Sequence, residues 1–154
     1  MAGSTQRFLN FDLAKNDITE LNDTFNTSLL IHSIIAIIVI ILVETIGMWF
    51  LCNKMVIPEE RYGAALWVFQ CSILTMVVGI MSIPYNAAII AHEKMSAFAY
   101  ISLLEAGMKL AIVYLLLISD FDKLKVYATL LLCISIIIRV VYSSYSKKHF
   151  PETK

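Results

Sequence analysis

Apolar residues in this chain come in long runs rather than in alternating faces, and four of the runs are long enough to cross a bilayer. About 20 apolar residues, wound as a helix, span roughly 30 Å of hydrocarbon. Residues 29–52, which include IIAIIVIILV, and residues 64–91, 97–118 and 124–145 each meet that length. The links between them, 53–57, 92–96 and 119–123, are short, which predicts four antiparallel helices that are neighbours in sequence order. Pro58 followed by Glu59 and Glu60 is a good helix start, so the second helix is expected to begin ahead of its apolar run.

Ahead of the first run the pattern changes. Ile18, Leu21, Phe25 and Leu29 fall on one face of a helix, and Asp17 with Glu20 resembles a capping box. An interfacial amphipathic helix over 16–28, running into the first span, is expected; a flexible tail is the alternative. The first 28 residues contain no apolar stretch of signal-peptide type. The expected fold is therefore an all-α membrane protein of four transmembrane helices preceded by a short interfacial helix. A cytoplasmic loop and helix at 1–28, a membrane region at 29–145 and a cytoplasmic tail at 146–154 make up the chain.

Composition agrees with that pattern. The 154 residues are 59% hydrophobic and 16% charged, whereas a soluble domain is nearer 45–50% and about 25%. Mean hydropathy is +0.77. Twelve Lys and Arg balance 12 Asp and Glu, so no basic face for nucleic acid is expected. Arg7, Lys15, Lys94, Lys147, Lys148 and Lys154, with Arg139 nearby, would lie on one side of the membrane. Lys54, Arg61, Lys123 and Lys125 would lie on the other. That bias puts both termini and the 92–96 link in the cytoplasm. Cys52, Cys71 and Cys133 are widely spaced and read as small buried hydrophobes.

Against this background the charges inside the apolar runs matter most, because each costs about 2.5–3.5 kcal/mol at mid-membrane on insertion scales. Glu105 precedes Lys109 by four residues, the better order for a helical ion pair, with Ser102 on the same face. Two readings stand: a self-satisfied pair that tolerates burial, or one wall of a water-filled cavity. In the second, Lys109 attracts an anion and Glu105 binds a proton or holds Lys109 in place. Glu44 lies about 12 Å from the far end of its helix with no cation at i±3 or i±4. It needs a partner on another helix, a cavity, or a proton. Arg139 either snorkels to the headgroups or contacts phosphate, whose oxygens match its two parallel donors.

Pro84 removes one backbone donor and presses on the carbonyl of Ile80; with Gly79 upstream, this predicts a kink. Asn86, two residues on, either satisfies freed backbone or faces a substrate. His32 reads as an interface residue, having no second ligand at metal spacing. Trp49, Trp67, Tyr127, Tyr142 and Tyr145 read as interfacial anchors. No HExxH, Walker A, GxSxG or clustered aspartates occur, so neither an enzyme nor a metal or cofactor is expected.

Several stretches together resemble bacterial polysaccharide flippases of the MATE-like multidrug/oligosaccharidyl-lipid/polysaccharide exporter superfamily. IPYNAAIIAHEKM (83–95) is similar to the end of their fourth helix and the following cytoplasmic loop, and QRFLNFDLAK (6–15) to the loop before their third helix. ETIGMWF (44–50) and VIPEERYGAALWVFQ (56–70) resemble the third helix, outer loop and fourth helix. SLLEAGMKLAIVYLL (102–116) resembles the fifth. Ala14 stands where many relatives have Gly.

The resemblance implies export of undecaprenyl-diphosphate-linked oligosaccharide across the inner membrane, for O-antigen or capsule assembly. Such proteins carry about twelve to fourteen helices in two bundles around a cationic cavity. This chain would align with helices three to six, so it would be a fragment, a truncated frame, or one piece of a split transporter. Its partners would be the bilayer, the lipid-linked oligosaccharide, and the remaining helices or a second copy. Lys109 and Arg139 would be the diphosphate contacts. A multidrug or cation antiporter of the same fold, with Glu44 and Glu105 carrying protons, is the alternative. A non-transporting remnant or interaction subunit is the reading from another class.

Overall fold

The computed structural model describes residues 2–15, 18–118 and 122–150, with the side chains of Ala2 and Ile18 left aside. The proposed cap residue Asp17, the Ile18 side chain and residues 119–121 and 151–154 lie outside the described residues. The described part is all helical, with no strand. In order come α1 (Ala2–Lys15), α2 (Ile18–Leu42), a π-helical turn (Val43–Gly47), α3 (Met48–Asn53), α4 (Glu59–Ala91), α5 (Met95–Ile118) and α6 (Lys123–His149).

Among the described residues, four helices are long and apolar enough to cross a membrane: Thr19–Asn53, which joins α2, the π turn and α3, then α4, α5 and α6. Only 11–17% of the most apolar window of each span is buried by the chain itself. The rest, such as Ile37, Ile41, Leu103 and Leu117, needs another apolar medium, and lipid tails supply one. This is consistent with a multi-pass membrane protein.

The helix limits follow local chemistry. Pro58 stands just before α4 in extended backbone (ψ 138°), and Glu59 and Glu60 fill the first turn beside the partial positive charge of the helix end. Asp122 caps α6 by accepting a hydrogen bond from the Leu124 N–H at 3.2 Å. Lys147, Lys148 and His149 close α6, where basic groups suit the helix dipole. Between α4 and α5 the chain reverses through Glu93, at φ 58°. The Lys94 N–H bonds to the Ile89 carbonyl at 3.1 Å and the Glu93 N–H to that of Ile90 at 3.0 Å, a Schellman closure with Glu in the glycine position.

Lateral order differs from sequence order. The largest interface joins α4 to α6, while α4 and its sequence neighbour α5 touch far less. The helices form a row, α2, α4, α6, α5, with α1 packed on α2 and α4. Ala87, Ala88 and Ala91 of α4 are buried at the end of the bundle that carries α1, and small side chains there let neighbouring backbones approach. Leu9, Leu21, Phe25, Tyr85, Ile138, Tyr142 and Phe150 complete the core around them.

α1 departs from expectation. Residues 6–15, expected as loop, are helical, and the amphipathic stretch from Leu21 runs unbroken into the first span as the first part of α2. Leu21 and Phe25 turn inward because α1 and α4 cover them. The Thr24 hydroxyl donates to the Asp12 carboxylate at 2.6 Å, and that of Ser28 to Thr5 at 3.3 Å, so polar bonds fasten α1 to α2. Among the cysteines, Cys71 is buried as expected, but Cys52 and Cys133 are exposed. Cys52, though exposed, lies 3.1 Å from the Tyr62 hydroxyl of α4.

Candidate functional site

Among the described residues, the candidate site residues within the apolar helices fall into three separate places. The first is the π turn. One extra residue per turn widens the helix there, and such turns often mark functional positions. The Thr45 hydroxyl donates back to the carbonyls of Ile41 at 2.7 Å and Leu42 at 3.2 Å. Gly47 faces Phe69 so closely that a Cβ would stand 2.8 Å from the ring. That approach of α2 to α4 lets Gln70 donate to the Glu44 carboxylate at 3.3 Å. Of the three ways Glu44 could be satisfied, the structure supplies a partner on another helix.

The second place lies between α4 and α6. α4 runs as α-helix through Gly79 and Pro84. Pro84 is fully buried and withholds a donor from the Ile80 carbonyl. Gly79 is exposed, with open space where a Cβ would be, so no close approach requires a glycine there. Next to Pro84, Tyr85 is buried edge-on against Phe25, ring centroids 5.4 Å apart. Its ring also receives the Arg139 guanidinium, 5.8 Å from the centroid. Arg139 Nη1 is buried without a hydrogen-bond partner, and so is Asn86 Oδ1. A buried guanidinium nitrogen left unbonded is costly, so this position favours an added acceptor.

The third place is on α5. Lys109 Nζ lies 2.6 Å from Glu105 Oε1, with the two side chains 54% and 34% exposed. The pair is self-satisfied, and Lys109 faces outward rather than into the row. On its inner side Glu105, with Ser102, faces the Tyr142 hydroxyl of α6. Tyr142 is 5% exposed and belongs to the core; it is not an interfacial anchor, because α5 covers it. Trp67, half exposed, instead donates from its indole nitrogen to the Thr129 hydroxyl at 3.1 Å, linking α4 to α6.

No family model, curated protein or solved structure matches this chain. The site must therefore be judged on its own geometry. Arg139 and Asn86 come from the two helices that pack most extensively, and Glu105 reaches the same α6 through Tyr142. No hydrogen bond or ion pair joins Arg139 to Lys109 or Glu44. Among the described residues no group of three His, Cys, Asp or Glu could hold a metal ion.

Two residues, Gln70 and Tyr85, escaped the sequence reading, and a third, His32, was placed differently. Gln70 is the neutral amide in the first half of α4, and the need of Glu44 for a partner pointed to such a group. Tyr85, beside Pro84, carries no signal beyond its position in a span. His32 was expected at an interface, yet is 3% exposed, because α1 folds along α2 and closes over it.

Proposed function

We propose that this chain is part of a flippase moving undecaprenyl-diphosphate-linked oligosaccharide across the bacterial inner membrane, with both termini and the α4–α5 turn in the cytoplasm. The observation that carries the reading is the Arg139 guanidinium, held over Tyr85 with Nη1 lacking an acceptor. A diphosphate offers pairs of oxygens that a guanidinium can bind with two parallel donors. Asn86, on the adjoining α4, contributes a second polar contact for the sugar or the phosphate. Lys109 is the reserve cation: substrate reaching it must compete with Glu105 at 2.6 Å. Alternating access needs two bundles around a midplane site, so a second copy or further transporter helices complete the machine.

The test is O-antigen or capsule display in source cells carrying Arg139→Ala or Arg139→Lys. Display should be lost in the first and largely lost in the second, because an ammonium cannot bind bidentately. Undiminished display with both variants at normal abundance removes Arg139 from the mechanism.

A second reading is a multidrug or cation antiporter, favoured by the Glu44–Gln70 contact within the apolar outer part of α2 and α4. A carboxylate held by one neutral amide suits a site that exchanges a proton for a cation. Dye efflux abolished by Glu44→Gln would support it. A non-transporting interaction subunit is favoured by α5, which ends the row with Leu103, Tyr114 and Leu117 uncovered.

A further inference from the structure

Glu105 and Lys109 pose a problem that their own bond does not solve. α5 runs from Met95 to Ile118, so the pair sits at the middle of the span. At a rise of about 1.5 Å per residue, Glu105 is about 15 Å from the start of α5 and Lys109 about 14 Å from its end. A four-carbon stem falls well short of that, so Lys109 cannot snorkel to the headgroups. The two charges meet at 2.6 Å, yet the Lys109 side chain is 54% exposed and that of Glu105 34%. An uncovered ion pair at mid-membrane is costly, and such groups face a protein interior or water.

The surroundings of Lys109 define that interior. Ala99, Ser102, Ala106, Lys109 and Val113 follow one another at alternating steps of three and four, the spacing of a helix–helix seam. Ala99, Ala106, Lys109 and Val113 are exposed and Ser102 is partly so, although α5 packs along α6. Glu105 flanks this strip. Small side chains let helices in lipid approach closely, and polar groups then bond across the contact.

We infer that this strip is the contact between two copies of the chain, α5 against α5 about a two-fold axis along the membrane normal. Charge complementarity selects a second copy. Both copies insert in the same orientation, so their α5 helices run parallel and each residue is level with its counterpart. Helical side chains lean toward the N-terminus, which brings both Lys109 ammonium groups to the level of both Glu105 carboxylates. Each ammonium has three donors. One serves its own Glu105, and another is directed to the partner's Glu105. Four charges of alternating sign then cover one another and leave the lipid. An unrelated helix would have to carry both signs at the same depth and spacing. Arg139 lies over Tyr85 on α4, so the pairing stands apart from the transport reading. In the dimer Lys109 is withdrawn from any substrate.

The experiment uses the full chain, bearing Cys52→Ala, Cys71→Ala and Cys133→Ala, in phosphatidylcholine vesicles. Copies with donor and acceptor dyes on C-terminal tags should show energy transfer that falls on dilution with lipid. Ala106→Cys should then cross-link to a dimer under mild oxidation. Ala111→Cys, exposed on another face of α5, should not. Lys109→Glu copies carry two carboxylates and Glu105→Lys copies two ammonium groups. Each should fail to pair alone, and the two should pair when mixed. If either does not insert, Ala106→Leu serves: it keeps both charges, and overpacking of the strip should weaken pairing about tenfold or more. Energy transfer no greater than that of non-interacting copies, or pairing indifferent to charge reversal or to Ala106→Leu, overturns the dimer. So does oxidation of Ala111→Cys as complete as that of Ala106→Cys. A cross-link from Ala106→Cys in source membranes at a mass other than twice that of the chain also overturns it, since another protein then covers the strip.

Discussion

The end of the bundle that carries α1 and the opposite end are built on different principles. At the α1 end, Leu9, Phe25, Ala87, Ile89 and Phe150 are nearly inaccessible, and side chains from α1, α2, α4, α5 and α6 share one core. At the opposite end, Ile41, Ile46, Trp49, Leu117 and Ile118 are uncovered, burial is confined to scattered residues such as Leu51, Ala64 and Ala128, and individual contacts such as Gln70 to Glu44, Trp67 to Thr129 and Cys52 to Tyr62 join the helices. Burial within the chain thus supplies the stability of one end, whereas lipid or another protein must complete the other. Mutational sensitivity should follow that division.

The largest expected effect is at Phe25, which is 2% exposed and packs on Tyr85. Phe25→Ala should cost about 3–5 kcal/mol in reversible unfolding from detergent micelles, the range for buried aromatic truncations. Ile37→Ala, at a position 57% exposed, should stay within about 0.5 kcal/mol. Equal losses at both sites would mean that the two ends are covered alike in the native membrane. Next comes Ala88→Leu, which forces extra volume into a fully packed stretch of α4 and should cost about 1–3 kcal/mol by the same assay.

At the open end, Gln70→Leu leaves Glu44 without its amide. A loss of about 1–2 kcal/mol is expected, and Glu44→Gln in the same background should recover part of it. No recovery would mean that Gln70 acts through packing alone. The last effect is a gain. Glu93 occupies a left-handed conformation that glycine adopts freely, so Glu93→Gly should stabilise by about 0.5–1 kcal/mol, seen as a later unfolding midpoint.

The same division explains what could be read from sequence. The four spans were legible because length and hydropathy are properties of each run by itself. Pro58 likewise marked the start of α4. α1 was not legible: its stretch is short and mixed in polarity, and contacts such as Asp12 to Thr24 and the burial of Leu9 hold it. The lateral order failed for a related reason. Short links fix which helices follow one another, but the alanines near the end of α4 and the apolar face of α6 decide which pack. Within the candidate site, the charges announced themselves by their cost in an apolar run. Their neighbours did not, because Gln70, Tyr85 and Tyr142 are ordinary residues given meaning by tertiary placement. The π turn left no mark, since VETIG is compatible with an uninterrupted α-helix.

The row order α2, α4, α6, α5 also has a consequence for assembly during synthesis. Translation delivers α4 and α5 before α6, yet the broadest surface of α4 is reserved for α6. A freshly inserted α4–α5 hairpin therefore waits in the membrane with that surface covered only by lipid. When α6 arrives it must slot between the two, and Phe150 then stacks on His92 at 4.0 Å, closing the α4–α5 turn from its other side. Insertion and association are separable stages for such helices. The final docking of α6, rather than the insertion of any single span, is the step at which this chain commits to its native arrangement.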